Sequence, residues 1–145
     1  RHRARAFAIQ GLYQWQLGQT DILQVEYTLR DTPHFNLADV LFFRTVLYGV
    51  VQAADTLKEH ITPHLKQRSL AEISPIERAV LLLATYELSA TPEVPLAVIM
   101  NEAIELTKTF GGTDGHKFVN GVLDKIAQLL RESEWLLLQQ QKTTR

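Results

Sequence analysis

His60 and His64 stand four residues apart, the spacing that sets two imidazoles on one helical face for a metal. Pro63 lies between them and ends a helix there, so they read as solvated surface histidines and no metal is expected. Glu102 and Glu105 are three apart and share a helix face. Two carboxylates can divide acid–base work, but a solvated face is the commoner use of such a pair. The run Gly111-Gly112-Thr113-Asp114-Gly115-His116-Lys117 is rich in glycine. It lacks the Gly-Lys-Ser/Thr ending of a phosphate loop and follows a helical pattern instead of a strand. Ser74 has no neighbouring His or Asp, and capping a helix accounts for it. Cysteine is absent, which removes thiolate catalysis, disulfides and Cys-ligated zinc. The chain is therefore expected to catalyse no reaction and to hold no cofactor.

Two segments carry stronger chemistry. Arg1, Arg3 and Arg5 crowd the first helical turns, and residues 1–20 contain no acid. Arg1 and Arg5 are i, i+4 and share one side of a helix. Cations at a helix N-terminus oppose the macrodipole, at a cost of roughly a few tenths of a kcal/mol each. A role outside helix stability would offset that. Guanidinium groups bind phosphate oxygens bidentately and stack on bases, so an RNA strand is one reading and a solvated basic end the other. The second segment is Asp114-Gly115-His116-Lys117-Phe118 at the start of the last strongly periodic helix. Free N–H groups there, with His116 and Lys117, can receive a phosphate, and Phe118 can stack on an unpaired base. The other reading has Asp114 as a simple cap and Phe118 in the core.

The net charge is −1, so any nucleic-acid site has to be a local patch. With 145 residues, 46% hydrophobic and 21% charged, the composition is that of one globular domain with a single core. Seven glycines and five prolines are too few for a turn-rich β architecture. The longest unbroken apolar run, Ala79 to Ala84, is six residues, where a membrane-spanning helix needs roughly 20. No membrane association is expected. No apolar segment follows the opening Arg-His-Arg-Ala-Arg, so no secretory leader is expected, and a cysteine-free chain suits the cytoplasm.

The elements that position these residues read as about seven helices, an all-α fold. Ala8, Gly11, Leu12 and Trp15 form the buried stripe of a first helix over residues 3–17. Asp21 caps a short helix over 22–29 that closes before Thr32-Pro33. The longest helix spans about 37–61, with Val40, Phe43, Leu47, Val50, Ala54, Leu57 and Ile61 inward. A helical piece over 63–67 follows. Ser74-Pro75-Ile76-Glu77 reads as a capping box opening the next helix, to about Leu88. Helices over about 95–111 and from 115 onward complete the body. Residues 1–131 are expected to form the domain and 132–145 a tail. The Trp135-Leu136-Leu137-Leu138 run in that tail extends the last helix, packs back on the body, or reaches a partner.

Taken together, four blocks resemble the NusB family of transcription-antitermination factors in order and spacing. They are Arg1-His2-Arg3-Ala4-Arg5 with Tyr13 and Trp15-Gln16-Leu17; Pro75-Ile76-Glu77-Arg78-Ala79-Val80-Leu81 with Tyr86-Glu87-Leu88; Val94-Pro95 through Asn101-Glu102-Ala103-Ile104-Glu105-Leu106; and His116-Lys117-Phe118-Val119-Asn120-Gly121-Val122-Leu123-Asp124-Lys125. The resemblance implies two packed helical subdomains, monomeric or homodimeric, in the bacterial cytoplasm. It implies binding to boxA single-stranded RNA of ribosomal-operon transcripts with the ribosomal protein NusE, and entry into an elongating RNA polymerase complex with other Nus factors. It places Arg1, Arg3, Arg5, Tyr13, Lys117 and Phe118 at the RNA, and Glu77 and Asp114 at the partner. His2 stands where the family favours arginine, and Gly115 where it favours serine. Two other roles share this fold: the RNA-binding module of a ribosomal-RNA methyltransferase, whose α/β catalytic domain is not in this sequence, and a protein-interaction module without RNA binding. With three to five phosphates neutralised, log affinity should fall with log salt at a slope of about −2 to −3.5.

Overall fold

The structure, a computed structural model, describes residues 1–18, 20–112 and 114–143. Helix α1 (His2–Gly18) buries Ala8, Gly11 and Leu12 of the expected stripe, together with Ala4, Phe7 and Ile9, while Trp15 at the end of the stripe is only partly buried. Helix α2 (Ile22–Arg30) starts at Asp21, whose carboxylate accepts from the Leu23 N–H at 3.0 Å. A 3-10 turn, Phe35–Leu37, precedes α3 (Val40–Ile61). The long helix thus begins three residues later than its apolar pattern suggests, because Asp39 caps it by accepting from the Phe42 N–H at 3.0 Å. Its 22 residues reach about 33 Å. By length and composition Val40–His64 is apolar enough to cross a membrane. Here its apolar face, including Phe43, Leu47, Val50 and Ile61, is buried in the domain core.

The helical piece expected over 63–67 is a 3-10 turn, Thr62–His64, and a second such turn follows at Leu70–Glu72. Then come α4 (Pro75–Ala90), α5 (Leu96–Phe110), α6 (Gly115–Leu130) and α7 (Glu132–Thr143). Among the described residues there are seven α-helices and no strand. Helix α4 touches α1, α3, α5 and α6. That position explains the Ala79–Ala84 run, since a helix apolar on all sides belongs in the middle. Gly49 lets α3 approach α4: a Cβ there would fall 2.3 Å from the Tyr86 ring. Phe35 sits edge-on to both Phe7 and Phe43, with ring centroids 5.1 Å apart in each pair.

The C-terminal segment closes the second half of the fold. The buried Arg131 guanidinium donates to the carbonyls of Glu87, Leu88, Thr91 and Val94, the end of α4 and the turn into α5. Glu134 accepts from the Leu96 N–H at 2.9 Å and so caps α5, which Pro95 cannot do with its own side chain. Trp135 donates its indole N–H to Asp124 at 2.9 Å, and Leu138 packs against the core. Of the three uses open to the tail, the described part, residues 132–143, packs back on the body.

Candidate nucleic-acid interface

Helix α1 presents the expected cations in two different ways. Arg1 and Arg3 are exposed. The Arg1 guanidinium lies 4.4 Å from the centre of the Phe42 ring and 3.5 Å from the Asp39 carboxylate. The Asp39 carboxyl is held below its ordinary range, first by the Phe42 N–H and then by the Arg1 charge. Arg5, expected beside Arg1 on the phosphate-facing side, is instead buried. Its Nε and Nη2 donate to the two carboxylate oxygens of Glu87 at 2.9 and 2.8 Å, and both side chains are at most 3% exposed. The sequence contained the reason. Arg5 precedes Ala8 by three and Leu12 by seven, so it lies on the stripe that packs inward. A guanidinium there needs a carboxylate, and Glu87 on the enclosed helix α4 supplies it. His2 places Nδ1 2.6 Å from the Glu102 carboxylate.

Further along α1, Tyr13 is 38% exposed. It lines a hollow of about 290 Å³ with Gln10, Gln14, Ile76 and Phe110. Arg3, Gln10, Tyr13 and Gln14 recur at steps of seven, three and one, so one face of α1 carries a cation, amides and a phenol. From Arg3 to Tyr13 this track runs about 15 Å.

Ile76 links the track to the start of α4. There the Ser74 hydroxyl accepts from the Glu77 N–H at 3.1 Å, which is half of the expected capping box. The Glu77 carboxyl lies instead against the α5–α6 turn, where a Cβ on Gly115 would be 3.3 Å from its Cδ. Glycine at 115 keeps that approach open. Asp114 precedes α6 without a side-chain cap bond. Its carboxylate stands 3.5 Å from the Lys117 Nζ, with both groups about three-quarters exposed (77% and 74%). Such a pair is loose and leaves Lys117 available to a phosphate. Phe118 is half-buried, between the core and stacking readings, and the Arg68 guanidinium covers its ring at 4.3 Å. Nothing in the sequence singled out Arg68; it reaches Phe118 from the segment between two 3-10 turns, without helical periodicity to mark it. The structure therefore sets Tyr13 beside Ile76 at the start of α4, sets Glu77 against Gly115 between Asp114 and Lys117, keeps Arg1 and Arg3 at the far end of α1, and removes Arg5.

A NusB family profile matches residues 2–128. The chain belongs to the NusB family. The transcription antitermination protein NusB of Laribacter hongkongensis is 52% identical over 135 residues, covering 93% of this chain and 81% of that protein. That of Thiobacillus denitrificans is 50% identical over 131 residues, covering 90% of each. Among solved structures, T. maritima NusB superposes with a TM-score of 0.84 at 30% identity, over 93% of this chain and 96% of that one. NusB from a complex of antitermination factors NusB and NusE with double-stranded RNA has the same fold. Its TM-score is 0.80 at 22% identity, over 89% of this chain and 96% of that one. The all-α NusB fold expected from the four sequence blocks is the fold found.

Proposed function

We propose that this NusB-family chain is a transcription antitermination factor that binds boxA-type single-stranded RNA of ribosomal-operon transcripts together with NusE. The pair joins the elongating RNA polymerase complex with other Nus factors in the bacterial cytoplasm. The observation that carries this reading is the exposed face of α1 that bears Arg3, Gln10 and Tyr13, with Arg1 exposed at the helix start and Lys117 exposed in the first turn of α6. Relatives named for antitermination, and a NusB solved with NusE and RNA, support it. Arg1, Arg3 and Lys117 hold phosphates, Tyr13 receives a base against its hollow, and Phe118 backs Arg68. Arg5 acts through α1: its pair with Glu87 sets which face of the helix points outward. Glu77 and Asp114 supply an acidic edge for the protein partner, next to the RNA track. Residues 1–131 form this unit, which works as a monomer or homodimer, and residues 132–143 brace it. The chain acts by binding and catalyses no reaction.

Fluorescence anisotropy tests the reading, using a boxA-like RNA and a scrambled control with and without NusE. The expected result is tighter binding to boxA, strengthened by NusE and weakened by Arg3→Ala. Equal and NusE-independent binding of both RNAs, or no binding, would leave a protein-only role for the fold.

A further inference from the structure

A groove of about 650 Å³ lies among residues that the RNA reading does not use. Trp15, Leu70 and Leu82 wall it, and Lys58 and Arg78 rim it. Its volume falls within the roughly 300–1,000 Å³ typical of ligand pockets. It lies on the opposite flank of the α1–α4 pair from the RNA track. Trp15 is two residues from Tyr13, and Arg78 two from Ile76, a rotation of about 200° on each helix. An RNA strand on Tyr13 and Ile76 would have to leave its track and wrap around α1 to enter.

The charges in the groove are uncompensated. Neither Lys58 nor Arg78 is in an ion pair among the described residues. Arg78 makes one long hydrogen bond, from Nη1 to the Leu70 carbonyl at 3.4 Å, and its Nε is buried without a partner. Glu72, the acid nearest in sequence to Leu70 and Ala71, is occupied: its carboxylate accepts from the Ser69 N–H at 3.0 Å. The Gln16 amide nitrogen is likewise committed, to the carbonyls of Leu12 and Pro75. What remains for a ligand is an indole, two leucine side chains and two cations. A small metabolite is usually fixed by several converging donors and acceptors, and this groove offers too few. An acidic side chain flanked by large apolar ones satisfies both the cations and the wall.

We propose that the groove between Trp15, Leu70 and Leu82, with Lys58 and Arg78 at its rim, docks a short acidic and apolar peptide segment of a protein partner. A carboxylate of the segment pairs with Arg78 and Lys58, and a neighbouring leucine or phenylalanine lies on Trp15.

The test uses the full chain and nitrogen–proton correlation spectra. The chain has two tryptophans, and Trp135→Phe assigns the Trp15 indole signal. The probe is a blocked Glu-Leu-Phe-Glu-Leu peptide, with a lysine-for-glutamate counterpart and a single-stranded oligouridine as controls. The acidic peptide is expected to move the Trp15 signal saturably at or below about 1 mM. Lys58→Met and Arg78→Met keep the aliphatic stem, and each should weaken that binding about tenfold. Lys58 is exposed, so its variant keeps the test valid if Arg78→Met fails to fold. No saturable shift up to about 5 mM, an equal shift with the lysine peptide, or unchanged affinity in Lys58→Met would overturn the proposal. So would oligouridine moving the Trp15 signal at lower concentration than the peptide, which would make the groove a nucleotide site.

Discussion

Changing Arg5 to Ala should unfold the protein more than it weakens RNA contact. The substitution leaves Glu87 as an uncompensated carboxylate, at most 3% exposed, on the most enclosed helix. Breaking a buried pair from one side costs about 3–5 kcal/mol. For a chain of this length each kcal/mol moves the melting temperature by about 3 °C, so a fall of about 10–15 °C is expected. Glu87→Gln should fall in the same direction. Replacing both, Arg5→Met with Glu87→Leu, removes the desolvation cost along with the pair and should recover most of the loss. Arg3→Ala is the control: it should leave the melting temperature within about 2 °C while weakening boxA binding. Calorimetry on the four variants, with anisotropy well below the lowest melting temperature, separates the effects. An Arg5→Ala protein that melts within about 2 °C of the parent and yet loses RNA affinity would refute the buried-pair account and return Arg5 to the phosphates.

With Arg5 sequestered, three exposed cations remain of the four expected at the RNA, Arg1, Arg3 and Lys117, and the slope of log affinity on log salt should be about −2, reduced by about 0.7 in Arg3→Ala; a slope beyond −3.5 would mean that other cations carry the binding. Glu26 gives a pH dependence. Burial pushes its carboxyl up, but the Tyr48 hydroxyl bond with Arg30 and Arg44 outweighs this, so the net shift is downward. Its stabilisation is therefore complete above the unfolded value and lost as pH falls through the folded one. Melting temperature should drop more steeply for the parent than for Glu26→Gln between about pH 5 and 3, and parallel profiles would contradict the assignment. Arg131→Met strips the donor from four carbonyls and should cost about 3 kcal/mol or more, with amide exchange fastest at the end of α4; uniform protection in that variant would count against the clamp.

Helix positions were legible wherever an apolar stripe met a recognisable end. Asp21, Ser74 and the Ala8–Leu12 stripe all act as their residue types suggest. The start of α3 was missed because Leu37 continues its apolar period, while the Asp39 carboxylate decides where hydrogen bonding begins. The tail helix was unclear because its apolar residues cluster in Trp135–Leu138 instead of recurring along one face; its place is set by Trp135 reaching Asp124. In the candidate site, residue type identified the basic end but not which arginine turns inward. Spacing from Ala8 and Leu12 held that answer, once Arg5 is read as part of the stripe and not of the cluster. Arg68 on Phe118 was beyond reach, since the two meet only through the fold.

The Arg131 clamp orders events in time. The α4–α5 turn borrows its closing donors from a residue 37 to 44 positions further along the chain. A ribosome adding roughly 5–20 residues per second leaves the turn without those donors for about 2–9 s after it is made. During that interval Glu87 already holds Arg5, so the half bearing the basic face can settle while the other half still exchanges its backbone with water. The factor should therefore acquire its nucleic-acid face before it acquires its full resistance to proteolysis.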